Sequence, residues 1–184
     1  MKYTMNIAGV EHDLPLCKVN DDLYIGAFVI FGRVELTEAC ACELLKKAPE
    51  YDYILTAEAK GIPLAYEMAK QHGDDFYFIA RKKPKLYMER VFEVNVKSIT
   101  TEGEQKLYLD GVDADKMKGK RVLLVDDVIS TGESLAAIEQ LAVEAGGVVC
   151  GKMAVLAEGD AQNREDIIYL EKLPLFNSDG TVKK

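Results

Sequence analysis

Val122-Leu123-Leu124-Val125-Asp126-Asp127-Val128-Ile129-Ser130-Thr131-Gly132-Glu133-Ser134 is the most informative stretch of this 184-residue chain. Four apolar residues without polar alternation read as a strand buried on both faces. The run ends in two adjacent acids. A small polar loop follows, and then a helical pattern, Leu135, Ile138, Leu141, Ala142 and Ala145, that closes at Gly146-Gly147. The first turn of such a helix offers unpaired N–H groups at the positive end of its dipole, a place for a phosphate. Gly132 lets backbone approach a ligand closely, and the hydroxyls of Ser130, Thr131 and Ser134 add donors. Carboxylates at Asp126 and Asp127 suit the vicinal hydroxyls of a ribose, or water on a magnesium ion. Helix capping alone would explain one or two of these residues. It does not account for two acids at a buried strand end together with three hydroxyls around a glycine. The stretch reads as a cradle for a ribose 5-phosphate.

Working outward, the same strand–loop–helix unit recurs. Tyr53-Ile54-Leu55 runs into Thr56-Ala57-Glu58-Ala59-Lys60-Gly61 and then a helix with Ile62, Ala65, Met68 and Ala69 facing inward. Phe76 to Ala80 reads as a strand, and Val148 to Leu156 as another. A helix is expected over residues 36–47, and short extended segments over 2–33 with turns at Ala8-Gly9 and Asp21-Asp22. Residues 91–99 alternate like a strand exposed on one face, with Lys106-Leu107-Tyr108-Leu109 returning as its hairpin partner. The end is expected to be irregular, with a short strand at Ile167-Ile168-Tyr169 and a polar tail. Alternating strands and helices predict an α/β fold: a mostly parallel sheet flanked by helices on both faces. Ligands in such folds sit at the carboxyl ends of the strands, here the loops after Leu55, Ile79 and Val125.

Two of those loops carry further anion chemistry. Thr56 to Gly61 follows a strand and opens a helix, which makes a nest-like anion site. After the next strand come Arg81, Lys82, Lys83 and Lys85. A basic run is ordinarily a solvated loop; its place at a strand end beside the other two loops gives it a role.

The length fits one domain, 1–184, with extended segments at 1–35. Twenty-three Lys and Arg stand against 31 Asp and Glu, a net charge of -8. That balance excludes a broad surface for nucleic acid or anionic membrane, while leaving room for a local phosphate site. No apolar run reaches 18 residues, and the start lacks a signal-peptide core. Cys17, Cys40, Cys42 and Cys150 form no C-x-x-C pair, and His12 and His72 stand alone. Reduced thiols in a cytoplasmic protein are therefore expected, without structural zinc.

Residues 122–134 resemble the phosphoribosyl diphosphate signature of type I phosphoribosyltransferases, and all thirteen positions fit it. Glu58-Ala59-Lys60-Gly61 is similar to the diphosphate loop of the adenine and xanthine members. Arg81-Lys82-Lys83-Pro84-Lys85-Leu86 is similar to the basic loop of the adenine enzymes. The resemblance covers roughly residues 50–160 and is weak outside them. It implies a type I fold with a small N-terminal hood at 1–35, a core at 50–160 and a flexible flap, for which residues 86–105 are the candidate mobile cover. The implied activity is transfer of ribose 5-phosphate from phosphoribosyl diphosphate to a purine, with Mg²⁺ as cofactor.

By the same resemblance the donor contacts fall on Glu58, Ala59, Lys60, Gly61, Arg81, Lys82, Lys85, Asp126, Asp127, Val128, Ser130, Thr131, Gly132, Glu133 and Ser134. Asp126, Asp127, Lys60, Arg81 and Lys85 are the expected catalytic set. Asp126 and Asp127 are the expected metal ligands, directly or through water. A non-proline cis peptide is implied at Ala59–Lys60, and a homodimer is expected. Phe28 and Phe31 of the hood are candidates to stack on the base, with core packing the competing reading. Hypoxanthine- and guanine-salvaging members usually carry Asp where this chain has Ser130, which favours adenine, with xanthine or another purine as the alternative. The usual Ser-Tyr…Glu-Tyr-Gly stretch of the adenine flap is replaced by Ser98 to Gly103. Glu102 and Glu104 are then the candidates for deprotonating the base. A phosphoribosyl-diphosphate-sensing regulator without turnover is the alternative of another class; the acidic charge opposes it.

Overall fold

The computed structural model describes residues 1–97 and 104–183. Three strands open the chain: β1 (Lys2–Ile7), β2 (Val10–Asn20) and β3 (Leu23–Gly26). The first hairpin turns at Ala8 and Gly9, both with positive φ. After α1 (Val34–Leu45) come β4 (Tyr53–Ala57), α2 (Gly61–His72) and β5 (Phe78–Ala80). A hairpin of β6 (Val91–Lys97) and β7 (Glu104–Asp110) leads to α3 (Gly111–Met117). Then follow β8 (Arg121–Ile129), α4 (Glu133–Glu144), β9 (Val148–Glu158), a short 3-10 turn at Gly159–Asn163, β10 (Ile168–Leu173) and β11 (Leu175–Phe176).

The central sheet has the order β10-β9-β8-β4-β5 and is parallel throughout. Period-two alternation divides its side chains between two cores. Ile54, Leu123 and Val125 pack with Leu36 and Leu44 of α1 and Leu64 and Met68 of α2. Leu55, Val122 and Leu124 pack on the other face with Leu135, Ile138 and Leu141 of α4. The hairpin β6–β7 joins this second core through Val94, Leu107 and Leu109, all nearly inaccessible. Its base is therefore fixed to the domain, and a backbone bridge between Arg81 and Tyr108 ties it to the end of β5. The candidate cover at 86–105 includes residues 98–103, which lie outside the described residues.

Three elements depart from expectation. The strand expected from Phe76 begins at Phe78; Phe76 is exposed, with Lys116 Nζ 4.4 Å from its ring centroid. Residues 111–117 form α3, begun by an Asp110 carboxylate that accepts from the Val112 amide at 3.1 Å. The tail is not simply polar: Leu175 and Phe176 pair antiparallel with Ile25 and Tyr24. That makes β11 the fourth strand of the hood sheet, ordered β1-β2-β3-β11, with the Phe176 ring fully buried.

The cysteines behave as expected of scattered thiols. Cys40 is fully buried on the inner face of α1, and burial pushes its thiol up to about 12; Cys17 and Cys42 are exposed. A thiol reagent under native conditions is expected to label Cys17 and Cys42 and spare Cys40 until denaturant is added, since the thiolate is the reacting form. Peptide mass mapping checks this; early modification of Cys40 would contradict the packing of α1. No helix among the described residues is long and apolar enough to cross a membrane.

Candidate active site

β4 and β8 are neighbours in register, Leu55 beside Leu124, and β5 flanks β4 on the other side. The chain leaves β4 toward β5 and later returns to β8 on the opposite edge, so the strand order reverses between β4 and β8. Ligands of open α/β sheets bind outside the carboxyl ends of the strands at such a reversal. A cavity of about 610 Å³ lies there. Its walls include Glu58, Ala59 and Lys60 after β4, Lys82 after β5, and Asp126, Asp127, Val128 and Ser134 from β8 and the start of α4.

The two acids differ in setting. Asp127 is 3% exposed, and Lys60 Nζ lies 2.7 Å from its Oδ2. The alignment does not make a hydrogen bond, so the contact is ionic. Asp126 accepts the Asp127 amide at Oδ1, 2.8 Å away. Burial, and next the charge of Asp127, push the Asp126 carboxyl up to about 7. A raised carboxyl means that the folded chain keeps a proton the unfolded chain has lost. This contribution to stability is fully present below the ordinary value of 3.8 and is lost as pH rises through about 7. Ligand-free protein is expected to lose stability from this group between pH 4 and 7, by at most about 1.4 kcal/mol per pH unit. Asp126→Asn should flatten that part of the profile. Equal slopes for the two proteins in denaturant titrations at pH 5, 6 and 7 would contradict the assignment.

The loop after β4 has its non-proline cis peptide at Glu58–Ala59, one bond earlier than the resemblance implies. Glu58 gathers the basic cluster. Arg81 Nη1 donates to its Oε1 at 2.8 Å, the Lys82 amide donates to its Oε2 at 2.9 Å, and Lys85 Nζ is 3.9 Å away. Burial alone would raise the Glu58 carboxyl; the Lys82 amide, Arg81 and Lys85 outweigh it and hold the group below its usual value. Arg81 Nη2 also donates to the Tyr87 hydroxyl at 3.1 Å. Gly61 starts α2 over a fully buried Thr56 hydroxyl that has no hydrogen-bond partner among the described residues. A Cβ at Gly61 would meet Thr56 Oγ1 at 2.2 Å.

Beside the large cavity is a niche of about 40 Å³ lined by Asp126, Val128, Ile129, Ser130, Thr131, Gly132, Ser134 and Leu135. That is room for a few waters or one phosphate. Gly132 caps α4 with φ 80°, a conformation that favours glycine, and its carbonyl accepts the Ala136 amide at 2.8 Å. Glu133 begins the helix.

The model of the phosphoribosyl transferase domain matches residues 38–178. The chain belongs to the phosphoribosyl transferase domain family. Among curated relatives, the hypoxanthine/guanine phosphoribosyltransferase of Methanothrix thermoacetophila is 30% identical over 158 residues, covering 83% of this chain and 79% of the relative. That of Methanocella paludicola is 33% identical over 127 residues, 69% of this chain; the matched stretch spans 62% of the relative's length. Among solved structures, the adenine phosphoribosyltransferase of Thermoanaerobacter pseudethanolicus superposes with a TM-score of 0.68 at 24% identity, covering 86% of this chain and 95% of that one. That of Rhodothermus marinus gives 0.65 at 21%, with 94% of each chain covered. These structures share the fold.

Within this phosphoribosyl transferase domain the residues singled out in the sequence come together as three neighbouring loops. The hood residues divide. Phe28 is 3% exposed with its ring edge-on to His12, whereas Phe31 is 48% exposed, so only Phe31 has an open face. Glu102 lies outside the described residues, and Glu104 opens β7. Three residues near the site went unread. Lys106 of β7 lines the large cavity, Glu158 ends β9 within reach of the Lys60 charge, and Arg164 sits against Gly132. Burial raises the Glu158 carboxyl while Lys60 opposes it. For Lys106 the hairpin alternation was a usable signal, since it placed Lys106 opposite the inward Leu107; nothing local marked Glu158 or Arg164.

For a metal, among the described residues no group of three or more His, Cys, Asp or Glu is placed to hold an ion. Mg²⁺ binds through one or two carboxylates together with substrate phosphates, so a pair of acids at the cavity fits it. Asp127 Oδ2, buried beside Lys60 and without a hydrogen bond among the described residues, is a suitable oxygen.

Proposed function

We propose that this protein is a purine phosphoribosyltransferase, moving ribose 5-phosphate from phosphoribosyl diphosphate to a ring nitrogen of a purine and releasing diphosphate. The observation that carries the reading is the meeting of a phosphate niche, two acids and a cationic loop at one strand-order reversal. In this reading the ribose 5-phosphate occupies the niche at the start of α4, with its hydroxyls on Asp126 and Asp127. The diphosphate lies on the Glu58-to-Gly61 loop, facing Lys60, Lys82, Arg81 and Lys85. The bond from C1 to the diphosphate oxygen breaks, its electron pair leaving with diphosphate, as the purine nitrogen bonds to C1, and the proton of that ring nitrogen passes to solvent. Asp126 and Asp127 would hold Mg²⁺, which supplies charge neutralisation to the departing diphosphate. Positive groups fixed where charge develops do the rest: Glu58 orients Arg81 and Lys85 in advance. Binding both partners in one cavity supplies orientation.

The base has two readings. The names of the relatives at 30–33% identity favour a 6-oxopurine, hypoxanthine or guanine. Ser130, in place of the acid those enzymes usually carry, favours adenine. Incubation with Mg²⁺, phosphoribosyl diphosphate and one base at a time, resolved by chromatography, separates IMP or GMP from AMP or XMP. No nucleotide from any purine would overturn the proposal. A homodimer belongs to the same reading; the exposed apolar Leu86 and Tyr87 beside the basic loop support it, and light scattering tests it.

A further inference from the structure

The niche at the start of α4 offers hydroxyls and amides, but its loop, Ser130-Thr131-Gly132-Glu133-Ser134, contains no cation. A phosphate monoester carries about -1.5 to -2 charges at neutral pH. Among the cations of the neighbouring loops, Lys60 is engaged on Asp127, Arg81 and Lys85 on Glu58, and Lys82 lines the large cavity rather than the niche.

One guanidinium stands against the phosphate loop from a distant part of the chain. A Cβ on Gly132 would lie 2.4 Å from Arg164 Nη1 and 3.7 Å from its Cζ, so the guanidinium packs directly on the glycine. Arg164 arrives there at the end of the 3-10 turn after β9, and its orientation is fixed from behind. Nε donates to Asp166 Oδ1 at 2.9 Å and Nη2 to Asp166 Oδ2 at 2.7 Å. Asp166 is held in turn by Lys152 at 3.1 Å, and Lys152 meets Glu139 of α4 at 2.8 Å. Alternating charges therefore run from α4 through β9 to Arg164. The fork on Asp166 uses Nε and Nη2 and leaves Nη1, the nitrogen beside Gly132. A guanidinium locked on one carboxylate keeps its remaining edge pre-organised for an oxyanion.

We propose that Arg164 is a ligand of the phosphate bound at the start of α4, aimed by Asp166 and reaching the anion through Nη1. The assignment rests on the reading of that niche as the 5′-phosphate site.

Calorimetric titrations of the whole protein with ribose 5-phosphate and, separately, with inorganic diphosphate test it. Arg164→Gln is expected to weaken ribose 5-phosphate about ten- to a hundredfold, the loss typical of a charged hydrogen bond, and to leave diphosphate within about twofold. Arg164→Lys keeps the charge and can keep the Asp166 contact, but a single ammonium cannot serve both partners as the fork does. It is expected to fall between, at about three- to tenfold, and it carries the test if the glutamine variant does not fold. Unchanged ribose 5-phosphate affinity in the folded variants, or equal losses for the two ligands, overturns the assignment and leaves the proposed function standing. If the wild-type protein binds diphosphate but not ribose 5-phosphate, the niche reading and the assignment fall together.

Discussion

The Asp127→Asn protein is expected to form nucleotide about a hundredfold more slowly than the wild type, or slower still, with little change in thermal stability. Asparagine matches aspartate in shape, so the site at the end of β8 stays filled. The charge is what disappears. Asp127 is almost fully buried, and a carboxylate kept charged in such a place needs a strong partner. Lys60 is that partner at 2.7 Å, and its own side chain is 46% exposed. After the substitution Lys60 can turn to water, so no buried charge is stranded and the fold is not much affected. The proposed reaction, in contrast, loses one of the two carboxylates that face the ribose and its metal. Losing one fixed group that meets the transition state typically costs about 10²–10³ in rate. Steady-state kinetics beside a thermal melt make the test. Near-normal turnover would remove Asp127 from the machinery, and a rate loss matched by a collapse in Tm would make it a structural residue.

Gly61→Ala is expected to act through space. The new methyl would lie 2.2 Å from Thr56 Oγ1, 3.3 Å from Asp126 Oδ1 and 3.4 Å from the Val125 carbonyl. Thr56 is fully buried near the carboxyl end of β4 and cannot swing away. Overpacking of this kind costs about 1–3 kcal/mol, a fall in Tm of roughly 3–10 °C for a domain of this size. The displaced α2 start would carry Lys60 and the Glu58–Ala59 bond with it, so diphosphate binding should weaken as well. Thr56→Ala removes the opposing oxygen, and the double variant should recover much of the stability lost by Gly61→Ala. Without that recovery, the close approach is not the cause.

The parallel core was legible because local signals agreed with one another. Val122 to Val125 is apolar throughout, and the structure buries it on both faces. The anion-binding loops followed from their place after such strands, and the structure brings Glu58, Lys60, Lys82, Asp126 and Asp127 around one cavity wall. What escaped notice was set by distance along the chain. Arg164 reaches Gly132 only because β9 and its turn fold back over the start of α4. Phe28 and Phe31 look alike in sequence, yet one faces the hood core and the other does not. The helix at 111–117 is seven residues long, too short for a clear period, and its one signal was the capping Asp110. The cis bond moved by one residue, a matter of local geometry that residue types alone do not specify.

The pairing of Leu175 and Phe176 with Tyr24 and Ile25 also orders events during synthesis. A ribosome delivers β1, β2 and β3 before the parallel core, and the strand that completes their sheet only after it. Until then the hood presents an unpaired β3 edge and the apolar space that the Phe176 ring will occupy, while the parallel core assembles behind it. Such an edge invites pairing with another chain. Loss of residues 175–184 would therefore leave every loop of the phosphate and diphosphate sites encoded, yet produce a nascent protein prone to stick to its neighbours.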